Sequence, residues 1–233
     1  MGTRIGILVI DEGVLDRDAL RGVLDDAPDV DLLDVAPTAR TGLSRLDQVV
    51  PDLLLLSADL DDLSAAEATR LALAARPRLG VLLMTTDRSR HAAVVVEALE
   101  AGALDVMVKP AVADDDQREE AFRRVLLPKI RSLSTVIYAR LARNMSVSSS
   151  PARPSTTGGV TAVPAVEQTA RRRRVDADVV LIGLSTGGSE ALSRLLPLLP
   201  AEMPPVVIVL HMPAQFTTSL AEDLDRRAAL SVR

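Results

Sequence analysis

The sequence contains no cysteine. A chain without cysteine forms no disulfide bond and holds no metal through thiolates, which excludes disulfide-stapled folds and cysteine-based zinc sites. No apolar run approaches transmembrane length, and residues 1–4 lead directly into a short apolar strand with no secretory hydrophobic segment before it. These absences favour a soluble, cytoplasmic protein that is not inserted in a membrane.

A broad basic face is also missing. The net charge is −5, so nucleic acid is not expected as the main partner. Residues 171–174 are four consecutive arginines, which could contact nucleic acid or an acidic receptor tail. On a linker such a run is usually only solvated, and we favour that interpretation.

Residues 4–140 alternate short apolar runs with longer amphipathic stretches, the pattern of a parallel sheet covered by helices on both faces. We predict an α/β fold with a five-stranded, flavodoxin-like sheet, whose ligands gather at the carboxyl ends of the strands. The predicted strands are residues 5–10, 30–35, 53–56, 81–84 and 106–108, and the predicted helices lie near 14–26, 38–49, 64–75 and 89–101.

Two further stretches separate this sheet from the rest of the chain. Residues 118–143 have apolar side chains at helical spacing, and Pro128 should bend or restart that helix. Residues 146–167 are rich in Ser, Thr, Pro and Gly without periodicity, which is typical of a disordered linker. We therefore predict a first domain over 1–135, a helix and linker over 136–177, and a second module over 178–233.

Polar residues follow the predicted strands of the first domain: Asp11 and Glu12, Ser57, Thr85 and Lys109. Adjacent carboxylates at a sheet edge would hold Mg²⁺, which makes Asp11 and Glu12 candidate ligands. The lysine and a hydroxyl could then bind a phosphoryl group. Each residue alone could instead cap a helix or form a turn, but together they resemble the pocket of a two-component receiver domain.

The receiver resemblance implies a phosphate-accepting aspartate at the end of the third strand, where this sequence has Ser57. A hydroxyl cannot form the acyl phosphate of the ordinary switch, and it offers less negative charge to a metal. Asp59, two residues later, is a poor substitute. We expect a receiver-shaped domain that does not signal through aspartyl phosphorylation.

The second module is organised around residues 178–212. An apolar run ends in Gly183-Leu184-Ser185-Thr186-Gly187-Gly188, a helix-like segment follows, and a second apolar run stops at His211. Strand, turn, helix and strand make a right-handed crossover, which brings the ends of both strands to one edge of the sheet. Ser185 and His211 should therefore share one rim.

Nucleophilic acyl transfer needs this arrangement, because a serine attacks well only when a nearby base takes its proton. Backbone N–H groups of Gly187 and Gly188, at the start of the helix, could stabilise the resulting oxyanion. The turn also fits the G-x-S-x-G pattern of nucleophile turns. A glycine-rich turn could instead bind phosphate or merely reverse the chain, and His211 alone could be a turn or cap residue.

These motifs, with His211-Met212-Pro213 and residues 216–222 after them, resemble the start of the catalytic domain of CheB-type protein-glutamate methylesterases. The resemblance implies a Rossmann-like α/β methylesterase domain, incomplete here, with Ser185 as nucleophile, His211 as base and Thr186 at the oxyanion site. It implies hydrolysis of glutamate γ-methyl esters on chemoreceptor helices, deamidation of certain glutamines, and no cofactor for the esterase step. A chemotaxis histidine kinase would be a further partner.

The same resemblance places the aspartate of the triad far downstream of the histidine, at positions this sequence does not include. Asp223 and Asp225 fall in a helical pattern and do not match it. Loss of this acid costs about four orders of magnitude in rate in a related triad. We therefore expect impaired hydrolysis, and the alternative is a catalytically silent receiver-like binding or regulatory module.

Overall fold

The first part of the chain forms one parallel sheet with helices between its strands. A computed structural model describes residues 4–86, 92–112, 115–148 and 177–233. The strands are β1 (Ile5–Ile10), β2 (Val30–Ala36), β3 (Leu53–Ser57), β4 (Gly80–Thr85) and β5 (Asp105–Val108). The helices are α1 (Val14–Asp25), α2 (Ala39–Arg45), α3 (Ala65–Ala75), α4 (Ala92–Glu100) and α5 (Asp115–Ser148). We call residues 4–148 the receiver-like part.

The sheet order is β2-β1-β3-β4-β5, and every neighbouring pair is parallel. This is the order of flavodoxin-like doubly wound sheets, in which the carboxyl ends of the strands share one edge. The prediction from the sequence is confirmed, with each strand starting and ending within one residue of the expected position. The structure extends β3 by one residue to Ser57 and β5 back to Asp105.

Two hydrophobic layers cover the sheet, one on each face. The first joins inward residues of the strands to α2, α3 and α4, and the second joins the opposite strand residues to α1 and α5. All five residues of β3 are buried, because a central strand covered on both faces has no polar side. Phe122 of α5 is fully buried in the second layer.

Helix α5 is longer than predicted and runs through Pro128. Of the two predicted effects of Pro128, the restart is therefore wrong, and the bend stays a prediction. Pro128 is exposed, whereas Leu126, Leu127 and Ile130 beside it are buried against the sheet. This packing keeps the helix continuous although proline removes one backbone hydrogen bond.

The predicted linker is only partly covered by the structure. Its first three residues belong to the end of α5, while 149–176, including the four arginines, lie outside the described residues. No helix in the described ranges is both long and apolar enough to cross a membrane.

Residues 177–233, the C-terminal segment, contain the predicted strand, helix and strand. They form β6 (Val180–Leu184), α6 (Gly188–Leu195), β7 (Val206–Leu210) and α7 (Thr217–Arg227), with short 3-10 turns at Leu196–Leu198 and Ala214–Phe216. One face of the two-stranded sheet packs against α6 and α7. The other face is open, with Leu181 74% and Val209 70% exposed.

Candidate functional site

Ser185 and His211 lie at the same edge of the second sheet. Strands β6 and β7 pair in parallel, with Leu184 opposite Leu210, and each of these leucines is followed by one of the two residues. The backbone N–H of His211 donates to the carbonyl of Leu184 at 3.0 Å, which holds the strand ends together. Both side chains are exposed. The crossover thus brings hydroxyl and imidazole to one rim.

The Ser185 hydroxyl and the His211 ring are not hydrogen-bonded to each other in the part of the chain that the structure describes. Exposed side chains change rotamer within nanoseconds. Catalytic hydrogen bonds often tighten only when substrate is bound. The structure therefore places both residues on neighbouring strand ends, while the proton transfer between them stays a prediction.

The turn between β6 and α6 needs glycine at two positions for different reasons. Gly187 has a φ of 77° and a ψ of 3°, a left-handed conformation that other residues rarely adopt. Gly188 has normal backbone angles but little space, because a Cβ there would lie 2.5 Å from Leu210 Cδ1 and 2.8 Å from Leu184 Cβ. Without these side chains, α6 starts directly against the strand ends, and its positive end faces the turn that carries Ser185.

The groups predicted to stabilise an oxyanion already have partners. The N–H of Gly187 donates to the carbonyl of Leu104 at 3.1 Å, and the N–H of Gly188 donates to the carbonyl of Ser185 at 2.8 Å. The Thr186 hydroxyl is 2.9 Å from the hydroxyl of Ser132 on α5. In this arrangement Thr186 and Gly187 contact the receiver-like part, and the Gly187 N–H is not available to a substrate. Sequence reasoning missed Leu104 and Ser132.

The C-terminal segment is anchored on α4 of the receiver-like part. Phe216 is 1% exposed and belongs to the same hydrophobic cluster as Val95. Val96, on the same helix, packs with Leu220 and Leu224 of α7. These apolar contacts hold the turn with Ser185 against the receiver-like part.

A polar cluster lies at the end of this contact. Arg227 bonds to Glu100 of α4 at 3.1 Å and also to Asp223, and Arg226 bonds to Asp223 at 2.9 Å. Asp225 accepts the N–H of Val232 at 2.7 Å. Both aspartates near His211 in the sequence therefore have other partners, which agrees with leaving them out of the catalytic set.

Protonation of Glu100 should affect stability. Partial desolvation, together with the hydrogen bond and the charge of Asp223, raises the pKa of Glu100 above 4.5, although Arg227 and Arg226 oppose this effect. The folded protein thus binds this proton more tightly than the unfolded chain, and the stability it contributes falls as pH rises from about 4.5 through the raised pKa.

Glu100→Gln resembles the protonated side chain, so the variant should not show the loss of stability that deprotonation of Glu100 causes in the wild type. We expect the melting temperatures of variant and wild type to diverge in the variant's favour as the pH rises. Glu97→Gln, at an exposed position on the same helix, is the matched control and should follow the wild type. Parallel pH curves for Glu100→Gln and wild type would contradict this prediction.

The receiver-like pocket forms at the carboxyl ends of β1, β3, β4 and β5. Asp11, Ser57 and Thr85 are fully buried, and Lys109 is 7% exposed. Lys109 Nζ lies 2.7 Å from Asp11 Oδ2 and 3.3 Å from the Ser57 hydroxyl. Asp11, Ser57 and Lys109 of the predicted pocket are therefore in contact with one another. Glu12 is exposed instead, and the Thr85 hydroxyl donates to the backbone carbonyl of Thr86.

Asp16, which sequence reasoning missed, also belongs to the pocket. Its Oδ2 lies 3.2 Å from Lys109 Nζ, and its Oδ1 accepts from Arg118 at 3.1 Å. An acidic residue in the first turn of a helix is common for helix stability alone, so the sequence gives no sign of this contact. Asp16 adds a second carboxylate to the lysine.

The pKa values in the pocket follow from burial and charge. Burial alone would lower the pKa of Lys109, but the charges and hydrogen bonds of Asp11 and Asp16 outweigh it and raise that pKa above 10.5. Lys109 therefore stays protonated and cannot serve as a base for Ser57. Burial, together with the nearby charges of Asp61, Asp59 and Asp11, raises the pKa of Glu12 above 4.5.

The side chains of the pocket do not fit a divalent cation well. Asp11 Oδ1 accepts the N–H of Gly13 at 2.9 Å. Asp11 Oδ2 lies 2.7 Å from Lys109 Nζ in an ion pair, but it has no hydrogen-bond partner among the described residues. Ser57 Oγ accepts from Lys109 and from the N–H of Asp59 at 3.3 Å each. Within the described ranges, no three Asp, Glu, His or Cys side chains are grouped as metal ligands.

Comparison with known proteins finds the same resemblance over nearly the whole chain. The family model described as CheB methylesterase matches residues 180–233. The protein-glutamate methylesterase/protein-glutamine glutaminase 1 of Chromobacterium violaceum is 29% identical over 98% of this chain and 63% of its own length. The enzyme of that name from Nitrosomonas europaea is 31% identical over 99% of this chain and 61% of its own length. This chain thus spans about three fifths of these curated relatives.

Solved structures are similar to the first part. The response regulator domain of Thermotoga maritima CheB is 26% identical, with a TM-score of 0.49, and covers 55% of this chain and 95% of its own. The first sheet of our structure has the receiver strand order, and the C-terminal segment carries the methylesterase match. The chain is therefore similar along nearly its whole length to CheB-type protein-glutamate methylesterases, and residues 180–233 match the methylesterase family model.

Proposed function

We propose that this chain is a chemotaxis response regulator whose C-terminal segment carries the nucleophile and base of a protein-glutamate methylesterase. The observation that supports this best is the position of Ser185 and His211 at the ends of adjacent parallel strands, inside the segment that matches the methylesterase family. The glycine turn after Ser185 supports the same role, because its conformation presents a helix start to the nucleophile. The relatives' names supply the substrate class.

The proposed reaction begins when Ser185 Oγ attacks the γ-ester carbonyl of a methylated glutamate. His211 takes the hydroxyl proton and then gives it to the departing methoxide, so that methanol leaves and an acyl-enzyme remains. Water attacks the acyl group in a second step, and His211 again moves the proton. The products are a free glutamate side chain and unmodified Ser185. Attack on a glutamine amide in the same way would release ammonia.

The proposed partners are methylated helices of chemoreceptors in the cytoplasm and the histidine kinase of the same system. A receptor helix can reach the oxyanion groups only after the contacts of Gly187 with Leu104 and of Thr186 with Ser132 open. Hydrolysis by this chain therefore requires the C-terminal segment to move away from α5 and the β4–β5 connection. This requirement agrees with impaired activity in the resting arrangement.

A catalytically silent regulatory module is the second candidate. Three observations favour it: Ser57 stands where receivers have the phosphate acceptor, the Ser185 and His211 side chains are not joined within the described part, and the oxyanion donors bond elsewhere. Such a module would still bind the receptor or the kinase. The two candidates differ in whether Ser185 reacts.

An active-site fluorophosphonate probe separates them. We expect the wild type to be labelled and Ser185→Ala to lose essentially all labelling, because the probe forms a covalent bond only with an activated serine. Ser219→Ala on α7 is the matched control and should label like the wild type. The wild type and Ser219→Ala should also release methanol from a γ-methyl-glutamyl peptide, and Ser185→Ala should not.

Equal labelling of the wild type and Ser185→Ala would remove the nucleophile proposal. A wild type that takes no label while remaining folded would favour the silent module. His211→Ala should lower the labelling rate without changing the fold, since the histidine is exposed.

A further inference from the structure

Arg227 joins α4, α6 and α7 through a single nitrogen atom. Its Nη2 lies 3.1 Å from Glu100 Oε1 on α4 and donates at 3.3 Å to Ser193 Oγ on α6. The same atom donates to Asp223 Oδ2, one turn earlier on α7. Because α4 belongs to the receiver-like part and the other two helices belong to the C-terminal segment, this guanidinium bridges the two parts of the molecule.

Two carboxylates meet at this point from opposite sides of the contact. Asp223 on α7 is 4% exposed, and the Glu100 side chain on α4 is 29% exposed. Carboxylates that share a partly enclosed site repel each other when both are ionised. Among the ion pairs of the described residues, Arg226 reaches Asp223, at 2.9 Å, and not Glu100. Arg227 is therefore the cation that contacts both carboxylates.

The ionised form of Glu100 is disfavoured here in spite of these arginines. Desolvation and the nearby Asp223 raise the pKa of Glu100 above 4.5, although the two arginines oppose this shift. The contact between Glu100 and Arg227 therefore offsets a repulsion and does not by itself attract the two parts. The apolar contacts of Phe216 and Val96 supply the attraction.

The other charged groups beside Glu100 do not take over this role. Glu97, one turn earlier on α4, is exposed to solvent. On α6, Glu190 and Arg194 line the same cavity as Glu100, but Arg194 pairs with Glu190 at 2.8 Å. The positive charge of Arg194 is thus already matched by a carboxylate on its own helix.

We propose that Arg227 is an electrostatic latch: its positive charge lets Glu100 and Asp223 approach each other, and the C-terminal segment moves off α4 when that charge is removed. This role concerns how the two parts hold together, and it does not depend on whether Ser185 reacts. Movement of the segment would also free the N–H of Gly187 from the carbonyl of Leu104.

Hydrogen exchange at the Gly187 amide, followed by NMR, tests the latch. This N–H bonds across the contact to Leu104 and lies far along the chain from Arg227, so it reports separation of the two parts and not fraying of α7. Exchange in Arg227→Gln should be at least about tenfold faster than in the wild type, because a carboxylate that loses its partner in an enclosed site is left uncompensated. Adding Glu100→Gln removes the repulsion and should restore the rate to within about twofold of the wild type.

Arg226→Gln is the matched control, because it makes the same change of charge one residue away, at a side chain that bonds Asp223 alone of the two carboxylates. It should exchange Gly187 at close to the wild-type rate. The proposal is overturned if folded Arg227→Gln exchanges like the wild type, if Arg226→Gln is equally fast, or if Glu100→Gln fails to restore the rate. If Arg227→Gln does not fold, Glu100→Gln alone decides: it should exchange no faster than the wild type, and faster exchange would mean that the ion pair itself is the attraction.

Discussion

Replacing Phe216 by alanine is expected to detach the C-terminal segment from the receiver-like part. Phe216 is 1% exposed and inserts from the turn before α7 into a cluster that belongs to the receiver-like part. Truncating a buried phenylalanine typically costs about 3–5 kcal/mol. A segment of this size has little other buried surface to compensate for that loss. The anchored state should therefore become a minor one.

Limited proteolysis and hydrogen exchange would measure this effect. Amides of α6 and α7 should exchange much faster in Phe216→Ala, while those of β1 and β3 stay protected. Val209→Ala removes an aliphatic side chain that is 70% exposed on the open face of the same segment, and it should leave exchange unchanged. If Phe216→Ala protects α6 and α7 as well as the wild type does, the anchoring role of Phe216 is wrong.

Replacing Phe122 by alanine should instead destabilise the receiver-like part itself. Phe122 is fully buried in the layer formed by α1, α5 and the sheet, together with Leu20, Leu126 and Ile130. We expect the free energy of unfolding to fall by about 3–5 kcal/mol, because the loss of apolar burial is increased by the cavity left behind. For a domain of this size, that change is a large part of the total stability.

Urea denaturation followed by circular dichroism would measure the change as a lower midpoint. Val125→Ala lies on the same helix at a position that is 45% exposed, so it should shift the midpoint far less. A loss below about 1 kcal/mol for Phe122→Ala would mean that the layer can collapse around the missing ring. Such a result would contradict the close packing of α5 on the sheet.

The strands could be predicted because each one is a short apolar run with a clear end. β3 is the simplest case: four leucines are buried on both faces, and Ser57 ends the strand. The alternation of strands and helices predicts a parallel sheet, and the observed order is the one known for the predicted flavodoxin-like fold. The restart at Pro128 was wrongly predicted because a local rule about proline was applied to a helix that its buried neighbours hold on the sheet.

The candidate site could be predicted only where the sequence carries a local pattern. Ser185, the glycine turn and His211 form such a pattern, and their shared rim follows from the crossover rule. The partners of Thr186 and Gly187 had no such signal. One is a backbone carbonyl at Leu104, which any residue would supply, and the other is an ordinary exposed serine on a helix.

Asp16 shows a different limit. An acid in the first helical turn is expected for helix stability, and only the tertiary fold brings the start of α1 within reach of Lys109, which follows β5. The decisive contacts of the pocket therefore depend on tertiary distances between residues far apart in sequence.

The depth of the Lys109 cluster determines how the molecule responds to ionic strength. Arg131 on α5 and Asp29, directly before β2, are roughly half exposed, and mobile ions readily screen such a pair. Asp11 is fully enclosed, so counterions do not approach its contact with Lys109. Added salt therefore weakens the charged exterior of α5 first and leaves the contact between Lys109 and Asp11 at the end of β1 intact.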